Sequence, residues 1–233
     1  MWWETERTML PFRDRKEAGE RLGRALSDYA GRENLLVLAL PRGGVPVGYE
    51  VALALAAPLD IFVVRKLGAP GNPELAIGAV APGGVCILQQ EIIDGLEISA
   101  ETVAAIAARE EQVRRQSEDL YRRNLPPQTI EGSTVIVVDD GIATGATMKA
   151  AVPALRSLWA EKIVIAVPVA PRSTCRELEV LADQVVCLAT PEIFFTVGQW
   201  YVNFEQVSDE QMAALLTQSS TAATRSDPCH YKS

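Results

Sequence analysis

Residues Val135 to Thr147 read VIVVDDGIATGAT, and the fold follows from this stretch. Val135, Ile136, Val137 and Val138 make an unbroken β-branched run, the pattern of a strand buried on both faces. Two adjacent carboxylates follow, Asp139 and Asp140, and then a turn of small residues that includes Gly141, Ala143, Thr144, Gly145, Ala146 and Thr147. From Met148 the pattern turns helical. A strand that ends in acids and passes through glycine into a helix places its loop at the carboxyl edge of a parallel sheet. Ligands bind at that edge in open α/β folds.

The loop chemistry suits a phosphorylated sugar. Consecutive amides in a small-residue turn form a concave nest, and the helix N-terminus adds partial positive charge. Thr144 and Thr147 add hydroxyl donors, and Gly145 lets the backbone come close. A phosphate gains nothing from two neighbouring carboxylates, so Asp139 and Asp140 need another task. Accepting hydrogen bonds from vicinal ribose hydroxyls is one; holding Mg²⁺, directly or through water, is another. A P-loop is excluded, because no Gly-Lys-Ser/Thr follows the glycines.

The stretch resembles the signature of the type I phosphoribosyltransferases, which bind 5-phosphoribosyl 1-pyrophosphate (PRPP). From Phe12 to about Leu216 the chain resembles a bacterial branch of that superfamily whose acceptor is open. The resemblance implies an α/β fold with a central, mainly parallel sheet flanked by helices, a flexible loop and a C-terminal hood. It implies Mg²⁺-dependent transfer of the phosphoribosyl group of PRPP to a small nitrogenous acceptor, with pyrophosphate released, and a homodimer. Asp139 and Asp140 then hold ribose and metal, and Gly141 with Ala143 to Thr147 surrounds the 5-phosphate. In relatives that use 6-oxopurines, the position matching Ala143 carries an aspartate beside the purine ring. A methyl group can neither accept nor donate a proton there. A PRPP-binding regulator without turnover is the alternative reading, and an interaction protein with a dead site is the third.

A second loop supports the first. Leu35 to Leu40, LLVLAL, reads as a buried strand, and Pro41-Arg42-Gly43-Gly44 interrupts it before Pro46 opens a helix. This loop resembles the pyrophosphate-binding loop of the same superfamily, with Gly43 and Gly44 exposing amides and Arg42 supplying charge. Ile61 to Val64 reads as a further strand ending in Arg65 and Lys66, and Lys66 resembles a basic PRPP contact. Arg42 and Lys66 join Asp139 and Asp140 as the catalytic set. Leu67 to Gly84 is rich in Gly and Pro and reads as a long loop or loose hairpin, placed where the superfamily carries its flexible loop. Its only carboxylate, Glu74, is a candidate for acceptor contact.

Composition bounds the rest. The chain has 233 residues, the size of one decorated α/β domain, and 48% of them are hydrophobic. The net charge of −8 argues against a nucleic-acid surface. Cys86, Cys175, Cys187 and Cys229 show no metal-ligand spacing and read as buried free thiols in a reducing compartment. The charged start and the absence of a long apolar run lead to the expectation of a cytoplasmic protein without a membrane span.

Along the chain, an arm with Trp2, Trp3, Leu10 and Phe12 docks on the body or on a second subunit. Asp14 caps a helix that ends by Gly31. Ser99 starts a helix through about Tyr121, whose face from Arg109 to Asp119 alternates charge and reads as solvated. The helix after Thr147 runs to Leu158, with a kink expected at Pro153. Lys162 to Val167 reads as a strand, Ser173 as the cap of a helix, and Gln184 to Leu188 as the last strand. Pro191 to Phe204 concentrates aromatics. Phe194, Phe195 and Trp200 are candidates to stack on a flat acceptor, or else simply roof the core. Ser208 to Gln211 is a capping box for a helix to Leu216. The reading is one domain over residues 1–217, with the hood at about 189–217 and a disordered polar tail over 218–233.

Overall fold

The computed structural model describes residues 11–123 and 125–225. Five parallel strands form the main sheet: β1 (Leu35–Ala39), β2 (Leu59–Ile61), and, numbered after a smaller sheet, β6 (Thr134–Val138), β7 (Lys162–Val169) and β8 (Gln184–Ala189). Their order is β2-β1-β6-β7-β8. Residues alternate across this sheet, so each strand feeds two cores. On one face Val37, Ile136 and Val164 pack with helices α1 (Arg15–Ala25), α2 (Gly44–Leu55) and α7 (Asp209–Arg225), through Leu22, Val51 and Met212. On the other face Leu38, Val137 and Ile165 pack with α5 (Ala146–Ser157) and α6 (Arg172–Glu179), through Val152 and Leu178. Both faces are covered, which is why β1, β6 and β7 are continuous apolar runs.

The expected loop from Leu67 to Gly84 is mostly sheet. Strands β3 (Arg65–Ala69), β4 (Asn72–Ala81) and β5 (Val85–Leu88) pair antiparallel as a separate sheet. It packs through Leu67, Ile77 and Val80 with Ile93 of α3 (Gln90–Gly95) and Val103 of α4 (Ala100–Arg122). The glycines that read as loop residues sit where chains approach closely. A Cβ at Gly78 would lie 2.3 Å from the Ile87 carbonyl oxygen, and one at Gly68 would lie 2.7 Å from that of Pro73. Gly71, at φ +76°, makes the hairpin turn. Arg65 and Lys66 therefore open β3 rather than close the preceding strand, which stops at Ile61.

Caps behave largely as the sequence indicates. Asp14 accepts from the Glu17 amide at 2.8 Å and Ser99 from that of Thr102 at 3.2 Å. Ser208 and Gln211 exchange reciprocal bonds at the start of α7. Ser173 is not a cap: α6 begins at Arg172 after Pro171, with Ser173 inside it. Helix α5 continues through Pro153. Helix α7 runs on to Arg225, so the first residues of the expected tail are helical. Trp2, Trp3 and Leu10 of the arm, and Cys229 in the tail, lie outside the described residues. Cys175 is buried and Cys187 half-buried, whereas Cys86 is exposed, contrary to the expectation of four buried thiols.

The charged face of α4 is solvated only in part: Arg109, Arg115 and Asp119 are exposed, but its other members are covered. Glu110, Arg114 and Arg122 are buried, because the small sheet and β2 pack over them. Arg65 bonds Glu110 at 2.8 Å, and Arg114 pairs with Glu111 and Glu118. Arg122 Nη1 donates to both oxygens of Asp60 at 2.6 and 2.7 Å, and the same carboxylate accepts the amides of Ile61 and Gln128. Removing one partner strands a buried charge. Asp60→Ala is expected to lower the unfolding free energy by about 3 kcal/mol, the low end for such pairs because Glu118 still binds Arg122. Joint replacement, Asp60→Ala with Arg122→Met, is expected to cost less. Urea titration of the three proteins checks both outcomes.

Candidate functional site

Two loops leave the carboxyl edge of the sheet side by side. The Leu40 amide donates to the Val138 carbonyl at 2.9 Å, which ties the end of β1 to the end of β6. The chain then runs through Pro41 to Gly44, with a cis Pro41–Arg42 peptide, into α2. A Cβ at Gly43 would lie 2.0 Å from Asp140 Oδ2, and one at Gly44 would lie 2.7 Å from the Val138 oxygen. Only glycine allows this loop to lie against the acids.

The second loop is held from behind. Ile142 is buried, and its amide donates to the Val169 carbonyl at 2.9 Å. The Thr174 hydroxyl, from α6, donates to the Ala143 carbonyl at 2.9 Å. Gly145 adopts φ +73° immediately before α5. Ala143, Thr144, Ala146 and Thr147 stay exposed around the helix N-terminus, whose first amides have no acceptor within the helix. The result is an open cradle for an anion.

Asp140 is buried between two ends of the chain. Its Oδ2 accepts from Arg15 Nε of α1 at 2.8 Å, and its backbone carbonyl accepts from the Tyr201 hydroxyl. The Arg15 guanidinium lies 3.8 Å from the centroid of the Phe204 ring, and Nη1 donates to the Glu205 carbonyl at 2.7 Å. Asp139 is half-buried, and its Oδ1 accepts the Asp140 amide at 2.8 Å. Burial, and then the neighbouring Asp140 charge, push the Asp139 carboxyl well above the ordinary carboxylate range. Burial also raises Asp140, against the opposing pull of Arg15.

The hood reaches the same place. Val197 sits on the acid loop, where a Cβ at Gly141 would lie 2.6 Å from Val197 Cγ1. Phe194 and Trp200 pack together at 6.0 Å, in a cluster with Phe12 and Tyr201. Phe195 is 79% exposed.

Gly43, Gly44, Asp139, Asp140 and Gly141 are thus brought together, with Ala143 to Thr147 leading away from them. The three other polar candidates turn elsewhere. Arg42 lies beside Tyr121 and 3.4 Å from Asp209 of α7. Lys66 lies 3.4 Å from the Glu74 carboxylate, so those two residues pair on the β3–β4 hairpin. Sequence reasoning missed Arg15 and Thr174. Each sits in an ordinary polar helical pattern, and only the tertiary fold reveals its partner.

Parallel strands with a glycine loop against paired acids and an open cradle at a helix N-terminus form the carboxyl-edge crevice where open α/β domains take their ligands. The chain belongs to the phosphoribosyl transferase domain family, whose sequence model matches residues 13–205. It is 44% identical over 208 residues to the phosphoribosyl transferase Rv0571c of Mycobacterium tuberculosis, a name given there provisionally. That match covers 89% of this chain and 47% of the relative, so the chain spans about half the length of that protein. The crystal structure of TT1426 from Thermus thermophilus superposes with a TM-score of 0.81 at 41% identity, covering 90% of this chain and 99% of that one. Among the described residues, no helix is long and apolar enough to cross a membrane.

The raised acids make a prediction about stability. A carboxyl with a raised folded-state pKa holds its proton more tightly folded than unfolded. The charged pair therefore costs stability above that pKa, and the cost fades as pH falls toward the ordinary carboxylate range. Asp139→Asn keeps the acceptor oxygen and removes the charge. It is expected to melt higher than the parent near neutral pH, with the gap closing on acidification, as thermal unfolding across a pH series would show.

Proposed function

We propose that the chain is a Mg²⁺-dependent phosphoribosyltransferase, in which a nitrogenous acceptor attacks C1 of PRPP and pyrophosphate leaves. The observation that carries this reading is the packing of Gly43 and Gly44 onto Asp139 and Asp140, beside the Ala143–Thr147 cradle. The cradle takes the 5-phosphate, the acids take the ribose hydroxyls, and the glycine loop offers amides to the diphosphate. Mg²⁺ fits this donor set, since it takes one or two carboxylates together with substrate phosphate oxygens. When bound it supplies charge neutralisation for the leaving group. Catalysis then rests on positioning and on stabilising the departing charge, with no covalent nucleophile. Arg42 and Lys66 serve the leaving group after exchanging their present carboxylate partners for the diphosphate. By the family resemblance, the protein acts as a cytoplasmic homodimer.

The second reading is a PRPP-binding regulator. Its motive is that Arg42 and Lys66 each face a carboxylate outside the acid pair. Calorimetry with PRPP and Mg²⁺, followed by pyrophosphate release against a panel of acceptors, separates the two. Asp139→Asn and Asp140→Asn are each expected to weaken PRPP binding about tenfold or more, the loss of one charge-assisted hydrogen bond. Unchanged affinity in both variants removes the assignment. Binding without release on every acceptor favours the regulator.

The acceptor chemistry is bounded by Ala143, which gives the ring of a base no proton donor or acceptor. Phe195 offers an exposed face for stacking, while Phe194 and Trp200 are committed to each other. Hypoxanthine and guanine are expected to be poor acceptors compared with adenine or another small nitrogen heterocycle. The check is PRPP-dependent nucleotide formation with each base at equal concentration. Efficient turnover of hypoxanthine or guanine, unaffected by Glu74→Gln, overturns the inference.

A further inference from the structure

Among the described residues, the cation bonded to the acid pair is Arg15, and it comes from the first helix. Three restraints fix its guanidinium: the Asp140 carboxylate at 2.8 Å, the Glu205 carbonyl at 2.7 Å and the Phe204 ring at 3.8 Å. The oxygen it binds, Asp140 Oδ2, is the atom against which Gly43 packs. Arg15 therefore acts where the acid loop meets the glycine loop. Arg42, the arginine within the glycine loop itself, is turned to Tyr121 and Asp209.

We propose that Arg15 is a positioning residue for the diphosphate end of the site, locking Asp140 against Gly43 and offsetting its charge where a diphosphate must approach. The inference rests on the phosphoribosyltransferase reading and adds a residue and a division of labour to it. Without Arg15, the Asp140 carboxylate can rotate into the space of the glycine loop. It would also face the incoming diphosphate with its charge uncompensated. The 5-phosphate cradle is held separately, by Ile142 and Thr174, and does not depend on Arg15. Loss of Arg15 should therefore discriminate between ligands.

The test is calorimetry on the full chain with two probes, PRPP with Mg²⁺ and ribose 5-phosphate, for the parent, Arg15→Met, Arg15→Lys, Asp140→Asn and the Arg15→Met/Asp140→Asn double variant. Arg15→Met is expected to weaken PRPP about tenfold or more, the scale of one charge-assisted bond, and ribose 5-phosphate, which shares the ribose hydroxyls but lacks the diphosphate, by distinctly less. Arg15→Lys keeps the charge but loses the planar fork, and should recover part of the PRPP affinity. Because Arg15 acts through Asp140, the double variant should bind PRPP no worse than Asp140→Asn alone. Equal losses for both probes, unchanged PRPP affinity, no recovery with lysine, or additive losses in the double variant each overturn the proposal. If Arg15→Met fails to fold, the lysine variant decides by its ratio between the two probes. A parent protein that binds neither probe overturns the phosphoribosyltransferase reading, and this inference falls with it.

Discussion

The structure depends on the in-phase pairing of β1 with β6. Leu35 lies opposite Thr134, and the register holds to Ala39 opposite Val138. Because the strands are parallel and end together, two loops distant in sequence begin at the same height. A shift of one residue would turn each side chain to the other face of the sheet. It would also lift Gly43 away from Asp140. The two apolar cores that fix the register are thereby also what brings the glycine loop to the acids.

Charge in this molecule is buried in compensated groups. Asp140 answers to Arg15, Asp60 to Arg122, and Glu110 to Arg65. These pairs differ in consequence. Asp60 is fully engaged, accepting two backbone amides besides its arginine, and serves to join α4 to β2. Among the described residues, Asp139 accepts the adjacent amide alone, which leaves it acceptor capacity.

Much of this was legible in the chain. The run from Val135 to Val138, the acids and the small-residue turn announced strand, turn and helix because each signal is local. The caps Asp14, Ser99 and Ser208 are also local, and they hold. The failures share one cause. Gly68 and Gly78 read as loop breakers because the sequence does not show the neighbouring backbone that excludes a Cβ. The covered part of the α4 face read as solvated because alternating charge looks alike whether water or a sheet covers it. Arg15 lies 125 residues from Asp140, in a helix whose charge pattern is otherwise ordinary.

The clamp on Asp140 has a consequence for how the molecule assembles. Arg15 near the start of the described chain, Asp140 in its middle and Tyr201, Phe204 and Glu205 toward its end meet at one point. Contacts so far apart close the longest loops and form after the local ones. On a ribosome, the central strand and the loop after it emerge before the segment that carries Tyr201 and Phe204. The nascent domain thus passes through a stage with all five strands of the main sheet and an acid pair that has no hood above it, while α7 has still to cover one face. Closure over the acid pair therefore comes after the strands that carry it.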